Sequence, residues 1–172
     1  MRIMNKDELW YCLNLLNDKL AIMGVYGEIG IYGGAVMCLV LNARDATEDI
    51  DAILNPKYDI NKAVKLVAEE LGISDNWLND GVKGFVSENN DLILFNAMSN
   101  LNIYAASPKY MFAMKSLACR TDNKNDIEDI KFLLEYLGIT SVSQAEEVIY
   151  QYYPQKRLLP KTFYVLMEIL GG

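Results

Sequence analysis

Two aspartates in alternate positions, Asp49 and Asp51, are the side chains of this sequence that are best suited to chemistry. They begin the apolar segment 49–54, which predicts a strand. Alternate side chains of a strand point to the same face, so both carboxylates are expected on one face. Neighbouring carboxylates repel each other unless a cation lies between them. A hard divalent ion, Mg²⁺ or Mn²⁺, with phosphate oxygens completing its shell, suits this pair.

A pair of glycines, Gly33 and Gly34, precedes these acids. It follows the apolar strand segment 30–32 and begins a helix predicted over 35–41. Glycines permit a tight turn and close backbone approach, and free N–H groups at a helix start hold phosphate. Separately, each feature is commonly a turn or a solvated strand end. Their order favours a phosphate-binding turn and a metal-binding acid pair in one unit.

The segment 31–54 resembles the core of the nucleotidyltransferase (polymerase β-like) superfamily. That motif is a hydrophobic residue with Gly-Gly or Gly-Ser, a helix, and then Asp-x-Asp or Asp-x-Glu on the next strand. The residues of this chain that match it are Gly33, Gly34, Asp49 and Asp51. The form Arg-x-x-Thr-x-Asp-Ile-Asp, which begins at Arg44, is similar to the bacterial toxin–antitoxin and abortive-infection branch. The resemblance implies nucleotide binding by the two glycines, Arg44 and Thr47.

The run 107–139, SPKYMFAMKSLACRTDNKNDIEDIKFLLEYLGI, resembles the second half of the same branch. Its residues predict a helical hairpin in which Lys115 and Arg120 face Asp126 and Asp129 in a partly buried ion-pair network. The resemblance implies that Lys115 lies in the active-site cleft, where it would offset charge on the transferring phosphoryl group. It also implies Arg120 as a nucleotide contact and one of the two aspartates as an additional acid. The alternative is that these charges only maintain the hairpin geometry.

The superfamily usually carries a third carboxylate on a strand after the acid pair. Two strands are predicted, over 91–95 and 101–105, and the second of them contains no acid. Asp91 is the nearby candidate for the third carboxylate, and the alternative is that it is a structural aspartate in a turn. Three interpretations are therefore open. The protein uses one metal ion, it recruits another acid such as Asp126 or Asp129, or it is catalytically inactive.

The composition excludes several kinds of chemistry. The 172-residue chain contains no histidine, so catalysis cannot use Ser-His, Cys-His or zinc-histidine sites. Three isolated cysteines in apolar contexts are expected to be core thiols: Cys12, Cys38 and Cys119. A net charge of −7 disfavours general nucleic-acid binding, although it suits a cation site or a basic partner.

The predicted helices and strands indicate an α/β fold, with a small mixed sheet flanked by helices and a C-terminal helical bundle. We expect a nucleotidyltransferase-like core over 1–106 and a helical subdomain over 107–172. Helices are predicted over 5–23, from 59 or 61 to 71, over 76–82, from 107 to about 120, from 126, from 141 or 143 to 153, and over 160–170. No apolar run approaches the roughly 20 residues that span a membrane. The N-terminus lacks the apolar core of a signal peptide, so a bacterial cytoplasm is expected.

The function expected from the resemblance is transfer of a nucleoside monophosphate from an NTP to an RNA or protein hydroxyl, in a toxin–antitoxin or defence system. tRNA or a cognate toxin or antitoxin protein is the expected partner, and a homodimer is compatible with the sequence. One alternative is an inactive binding or antitoxin module with the same fold. A second is an RNA-binding protein that uses a tail of aromatic and basic residues: Tyr150, Tyr152, Tyr153, Lys156, Arg157, Lys161 and Tyr164. Trp77 is predicted to pack against the sheet, with base stacking as its alternative role.

Overall fold

The computed structural model describes residues 2–154 and 157–171. Within these residues the chain forms seven α-helices and seven strands, so the predicted mixed α/β fold is confirmed. The strands are β1 (Met4–Asn5), β2 (Gly27–Tyr32), β3 (Ala46–Thr47), β4 (Ile50–Asn55), β5 (Leu78–Asn79), β6 (Leu92–Ala97) and β7 (Leu101–Ala106). The helices are α1 (Lys6–Met23), α2 (Gly33–Leu39), α3 (Lys57–Leu71), α4 (Pro108–Leu117), α5 (Lys124–Leu137), α6 (Val142–Tyr150) and α7 (Pro160–Leu170).

The chain divides into two compact units. The first, called the sheet unit, comprises Met1–Gly84 and Leu92–Ala106, and the second, called the helical unit, comprises Phe85–Asp91 and Ser107–Gly172. The short segment before β6 therefore belongs with the later helices rather than with the sheet.

A five-stranded mixed sheet forms the centre of the sheet unit, in the order β5-β4-β2-β7-β6. Strands β2 and β7 are parallel, β4 is antiparallel to β2 and parallel to β5, and β6 is antiparallel to β7. Strands β1 and β3 form a separate two-stranded antiparallel sheet. No helix in residues 2–154 and 157–171 has the length and apolarity needed to cross a membrane.

Helices α1 and α3 pack on one face of the five-stranded sheet. A β-carbon on Gly27 of β2 would meet Leu20 of α1 and Ile60 of α3, each at 3.2 Å. Leu20 and Ile60 are fully buried, as the helical periodicity of their segments predicts. Because strand side chains alternate, Tyr32 and its β4 partner Asp51 project from the opposite face.

The helical unit is built from α4, α5, α6 and α7. Its helices bury aromatic and branched apolar side chains, including Tyr110, Phe112, Ile130, Leu133, Ile149 and Leu166. Cys119, two residues after α4, is buried and free, as are Cys12 and Cys38 in the sheet unit, which confirms the prediction of core thiols.

Several predicted bounds are wrong. Residues 76–82 do not form a helix: a 3-10 turn over Asp75–Trp77 leads into β5, and a second 3-10 segment covers Gly81–Phe85. Parallel pairing with β4 extends Leu78 and Asn79, so a tertiary contact overrides the local preference. Helix α4 ends at Leu117 rather than near Arg120, and α3 begins at Lys57, earlier than predicted.

Candidate functional site

The register of β2 with β4 brings the glycine turn to the acid pair. Tyr32, the last residue of β2, pairs with Asp51 near the start of β4. Gly33 and Gly34 follow Tyr32 directly and form the first residues of α2, rather than preceding the helix as predicted. The pairing therefore places the turn beside the Asp51 carboxylate.

Side chains pack closely against the turn at both Gly33 and Gly34. Gly33 has a φ of 63°, and a β-carbon there would lie 2.9 Å from Oδ2 of Asp51. A β-carbon on Gly34 would lie 2.7 Å from Oγ1 of Thr47 and 2.8 Å from Nη1 of Arg44. Real β-carbons do not approach other atoms so closely, so a larger residue at either position would force these side chains to move, and the φ of Gly33 also favours glycine. The structure thus brings Arg44, Thr47 and Asp51 together at the turn.

Asp49 lies immediately before β4, one residue outside the strand in which it was predicted. Its carboxylate Oδ2 accepts a hydrogen bond of 3.0 Å from Nδ2 of Asn79, and its carbonyl oxygen accepts one of 3.3 Å from Oγ1 of Thr47. Burial raises the pKa of Asp49, and the hydrogen bond from Asn79 offsets part of that increase. The ionised carboxylate is therefore costly in the folded protein unless positive charge lies near it.

Asn79 is the residue of this site that the sequence did not reveal. It lies on β5 and pairs in parallel with Asp51. Its Oδ1 accepts a bond of 3.0 Å from the N–H of Gly81, and its Nδ2 also donates to the carbonyl of Asn76 at 3.1 Å. An asparagine near a turn carries no local signal for a site, because its position depends on the pairing of β4 with β5.

The donor set at this end of the sheet consists of two carboxylates, an amide and a hydroxyl. In residues 2–154 and 157–171, no group of three or more His, Cys, Asp and Glu side chains is arranged to hold a metal ion. Asp49 and Asp51 supply hard oxygen donors, which are the ligands that Mg²⁺ and Mn²⁺ prefer. The chemistry of these donors fits such an ion.

The charged residues of the predicted hairpin pair with each other inside the helical unit. Nζ of Lys115 lies 2.7 Å from Oδ2 of Asp129, with 16% and 4% of the two side chains exposed. Arg120 donates three hydrogen bonds to Asp126, from its backbone N–H at 3.0 Å and from Nε and Nη2 at 2.9 and 3.2 Å. The predicted ion-pair network is confirmed. Burial raises the pKa of Asp126, but the hydrogen bonds from Arg120 together with the positive charges of Lys115 and Arg120 outweigh this effect and lower the pKa on balance.

Asp91, the third candidate acid, also makes hydrogen bonds within the helical unit. Its Oδ2 accepts from Oγ of Ser107 at 2.6 Å and from the hydroxyl of Tyr152 at 2.9 Å. Ser107 in turn is the N-cap of α4, as predicted, and accepts from the N–H of Tyr110. Asp91 thus connects the segment before β6 to α4 and to the residues that follow α6.

Of the aromatic side chains proposed for base stacking, Trp77 and two tail tyrosines are buried. Trp77 is 2% exposed, and its indole N–H donates to the carbonyl of Val64 on α3 at 3.0 Å. Tyr152 and Tyr153 of the tail are also buried, and the guanidinium of Arg157 lies 5.3 Å from the ring centre of Tyr153. Tyr164, in contrast, is 66% exposed, Lys161 is exposed and Tyr150 is partly exposed. Lys156 lies outside the described residues.

Comparison with protein-family models, with curated proteins and with solved structures gives no match for this chain.

Proposed function

We propose that this protein is a Mg²⁺- or Mn²⁺-dependent nucleotidyltransferase of a toxin–antitoxin or defence system. It would transfer a nucleoside monophosphate from an NTP to a hydroxyl group of RNA or of a protein. The observation that supports the proposal best is the convergence of the Gly33-Gly34 turn with Asp51, Arg44 and Thr47 in the sheet unit. These residues come from separate elements, and their types suit a triphosphate.

Asp49 and Asp51 would hold the metal ion. When bound, the ion supplies positive charge that neutralises the triphosphate. Because burial makes the ionised form of Asp49 costly, a cation at this position would stabilise the folded site as well.

The remaining residues of the turn would bind and orient the nucleotide. The backbone N–H groups of Gly33 and Gly34 would donate to phosphate oxygens, and Arg44, which packs against Gly34, would add positive charge. The acceptor hydroxyl would then attack the α-phosphorus in line, forming a new P–O bond and losing its proton to solvent. Pyrophosphate would leave with the electrons of the broken bond. In such chemistry, positioning and electrostatics supply most of the rate.

Lys115 and Arg120 have no assigned step in this proposal. Each makes an ion pair with a carboxylate of its own unit. The proposed function therefore depends on the residues of the sheet unit, and any contact of Lys115 or Arg120 with the nucleotide stays a prediction.

A second candidate is a binding or antitoxin module that keeps the fold without catalysis. The observation that favours it is the neutral amide of Asn79. This residue lies on β5, the strand beside the acid pair, and bonds to Asp49. Such a module would form no pyrophosphate from any NTP. Tyr152 and Tyr153 do not favour the RNA-binding alternative, since both are buried.

Calorimetric titration with ATP, CTP, GTP and UTP, with and without Mg²⁺, tests the proposal. We expect metal-dependent binding of at least one NTP, abolished by the double substitution Asp49→Asn with Asp51→Asn. The matched control is Asp45→Asn with Glu48→Gln, which removes the same charge from two exposed positions of the adjoining segment. A folded protein that binds no NTP would contradict the proposal, and binding without pyrophosphate release would favour the inactive module.

A further inference from the structure

We propose that Asn79 is a positioning residue of the candidate site, and that its neutral amide limits the site to one divalent cation. This inference rests on the proposed function, because it assigns a role within the same site. It identifies a third member of the site that comes from a different strand.

The pairing of β5 with β4 places Asn79 beside the acid pair. Asp51 and Asn79 are partners in a parallel ladder, so their side chains project from the same face of the sheet, with about 4.8 Å between the strands. Asn79 also donates to Asp49. It is therefore adjacent to both acids.

Three hydrogen bonds determine how the amide of Asn79 is oriented. Oδ1 accepts from the N–H of Gly81 at 3.0 Å, so the nitrogen must point the other way. There Nδ2 donates to Asp49 at 3.0 Å and to the carbonyl of Asn76 at 3.1 Å. The backbone around the turn thus aims a donor at the Asp49 carboxylate and holds that carboxylate in place.

An amide and a carboxylate at position 79 have opposite effects on the charge available to bind a cation. With the amide, the negative charge of the site comes from Asp49 and Asp51, and Arg44 at the same turn offsets part of it. One divalent cation is then enough to neutralise what remains. A carboxylate at position 79 would place oxygen near Asp49 and near the carbonyl of Asn76, where the amide now donates. These oxygens would repel one another without a cation and would coordinate one when it is present.

The test compares Asn79→Asp and Asn79→Ala with the wild type. The control is Asn125→Asp, which adds the same charge at an exposed position of α5. Mn²⁺ affinity and stoichiometry are measured by calorimetry, and the midpoint of thermal unfolding is measured with Mn²⁺ and with EDTA. We expect one Mn²⁺ in the wild type and binding about tenfold weaker in Asn79→Ala, as for other side chains that orient metal ligands.

In EDTA, we expect Asn79→Asp to unfold at a lower temperature than Asn125→Asp. Mn²⁺ should raise its unfolding temperature more than that of the wild type, and it should bind Mn²⁺ about tenfold more tightly, because a carboxylate adds a charged ligand. A general loss of stability would lower the unfolding temperature in Mn²⁺ as well as in EDTA, so it would not produce this dependence on Mn²⁺. Two ions in the wild type, unchanged affinity in both Asn79 variants, or an Asn79→Asp protein unfolded with and without Mn²⁺ would overturn the inference.

The two proposals fail in different ways. If the wild type binds an NTP with Mn²⁺ and the Asn79 variants bind the metal equally well, the inference falls while the proposed function stands. If the wild type binds one Mn²⁺ and the Asn79 variants change its affinity as expected, but no NTP binds with the metal, then the inference stands and the proposed function falls.

Discussion

Replacing Gly33 by alanine tests whether the Asp51 carboxylate packs against the glycine turn. Gly33 has a φ of 63°, in the left-handed region, where a β-carbon costs about 1 to 2 kcal/mol. That β-carbon would lie 2.9 Å from Oδ2 of Asp51, so the carboxylate must move. Overpacking of this kind costs about 1 to 3 kcal/mol more. We therefore expect Gly33→Ala to lower the free energy of unfolding by about 2 to 5 kcal/mol.

Gly24 provides a matched control in the same unit. Its φ is 70°, and a β-carbon there would meet nothing within 4 Å. Gly24→Ala should therefore cost only the backbone contribution of about 1 to 2 kcal/mol. Urea unfolding followed by circular dichroism and by tryptophan fluorescence gives both values, and agreement of the two signals checks that the transition is two-state.

A double-mutant cycle separates the contact from the backbone strain. In an Asp51→Ala background, Gly33→Ala should cost no more than Gly24→Ala, because the carboxylate that meets the new β-carbon is gone. Equal destabilisation by Gly33→Ala and Gly24→Ala in the wild-type background would refute the reasoning. So would a cycle in which Gly33 and Asp51 show no coupling.

Three further substitutions test other parts of the structure. Lys115→Met removes an ion-pair partner of Asp129, whose side chain is 4% exposed, and should lower the free energy of unfolding in urea by about 3 to 5 kcal/mol. Adding Asp129→Leu should restore most of this free energy. The pKa of Asp126 is lowered from 3.8 in the folded state, so its contribution to stability is complete above that value and is lost as the pH falls through the folded pKa. Urea unfolding between about pH 2 and about pH 6 should show a shallower loss in Arg120→Ala, and an unchanged profile would contradict the role of that pair. Trp77→Phe leaves a carbonyl of α3 without its indole donor and should cost about 1 to 3 kcal/mol, whereas an unchanged unfolding midpoint would contradict the hydrogen bond.

Many helix boundaries could be predicted from the sequence because they depend on local interactions. Asn5 caps α1 in a reciprocal capping box with Glu8, and Ser107 caps α4. Helix α7 has the predicted bounds 160–170. A cap bonds to a backbone N–H only two or three residues away, so its signal lies within a few residues of the chain. Helix α4 ends at Leu117, before the predicted end near Arg120, and the backbone N–H of Arg120 bonds to Asp126 of the next helix.

The sequence alone determined that Asp49, Asp51 and the glycine pair belong to one short segment with no histidine available for catalysis. Only the tertiary structure decided which side chains complete that site. Asn79 belongs to the site because β5 pairs with β4. Residues 76–82 contain no local sequence pattern that predicts this pairing. The ion pairs of Asp126 and Asp129, predicted from the hairpin, join basic side chains of the same helical unit. Strand pairing joins residues that are far apart in the chain, and the free energy that specifies it comes from packing and hydrogen bonds across the whole sheet.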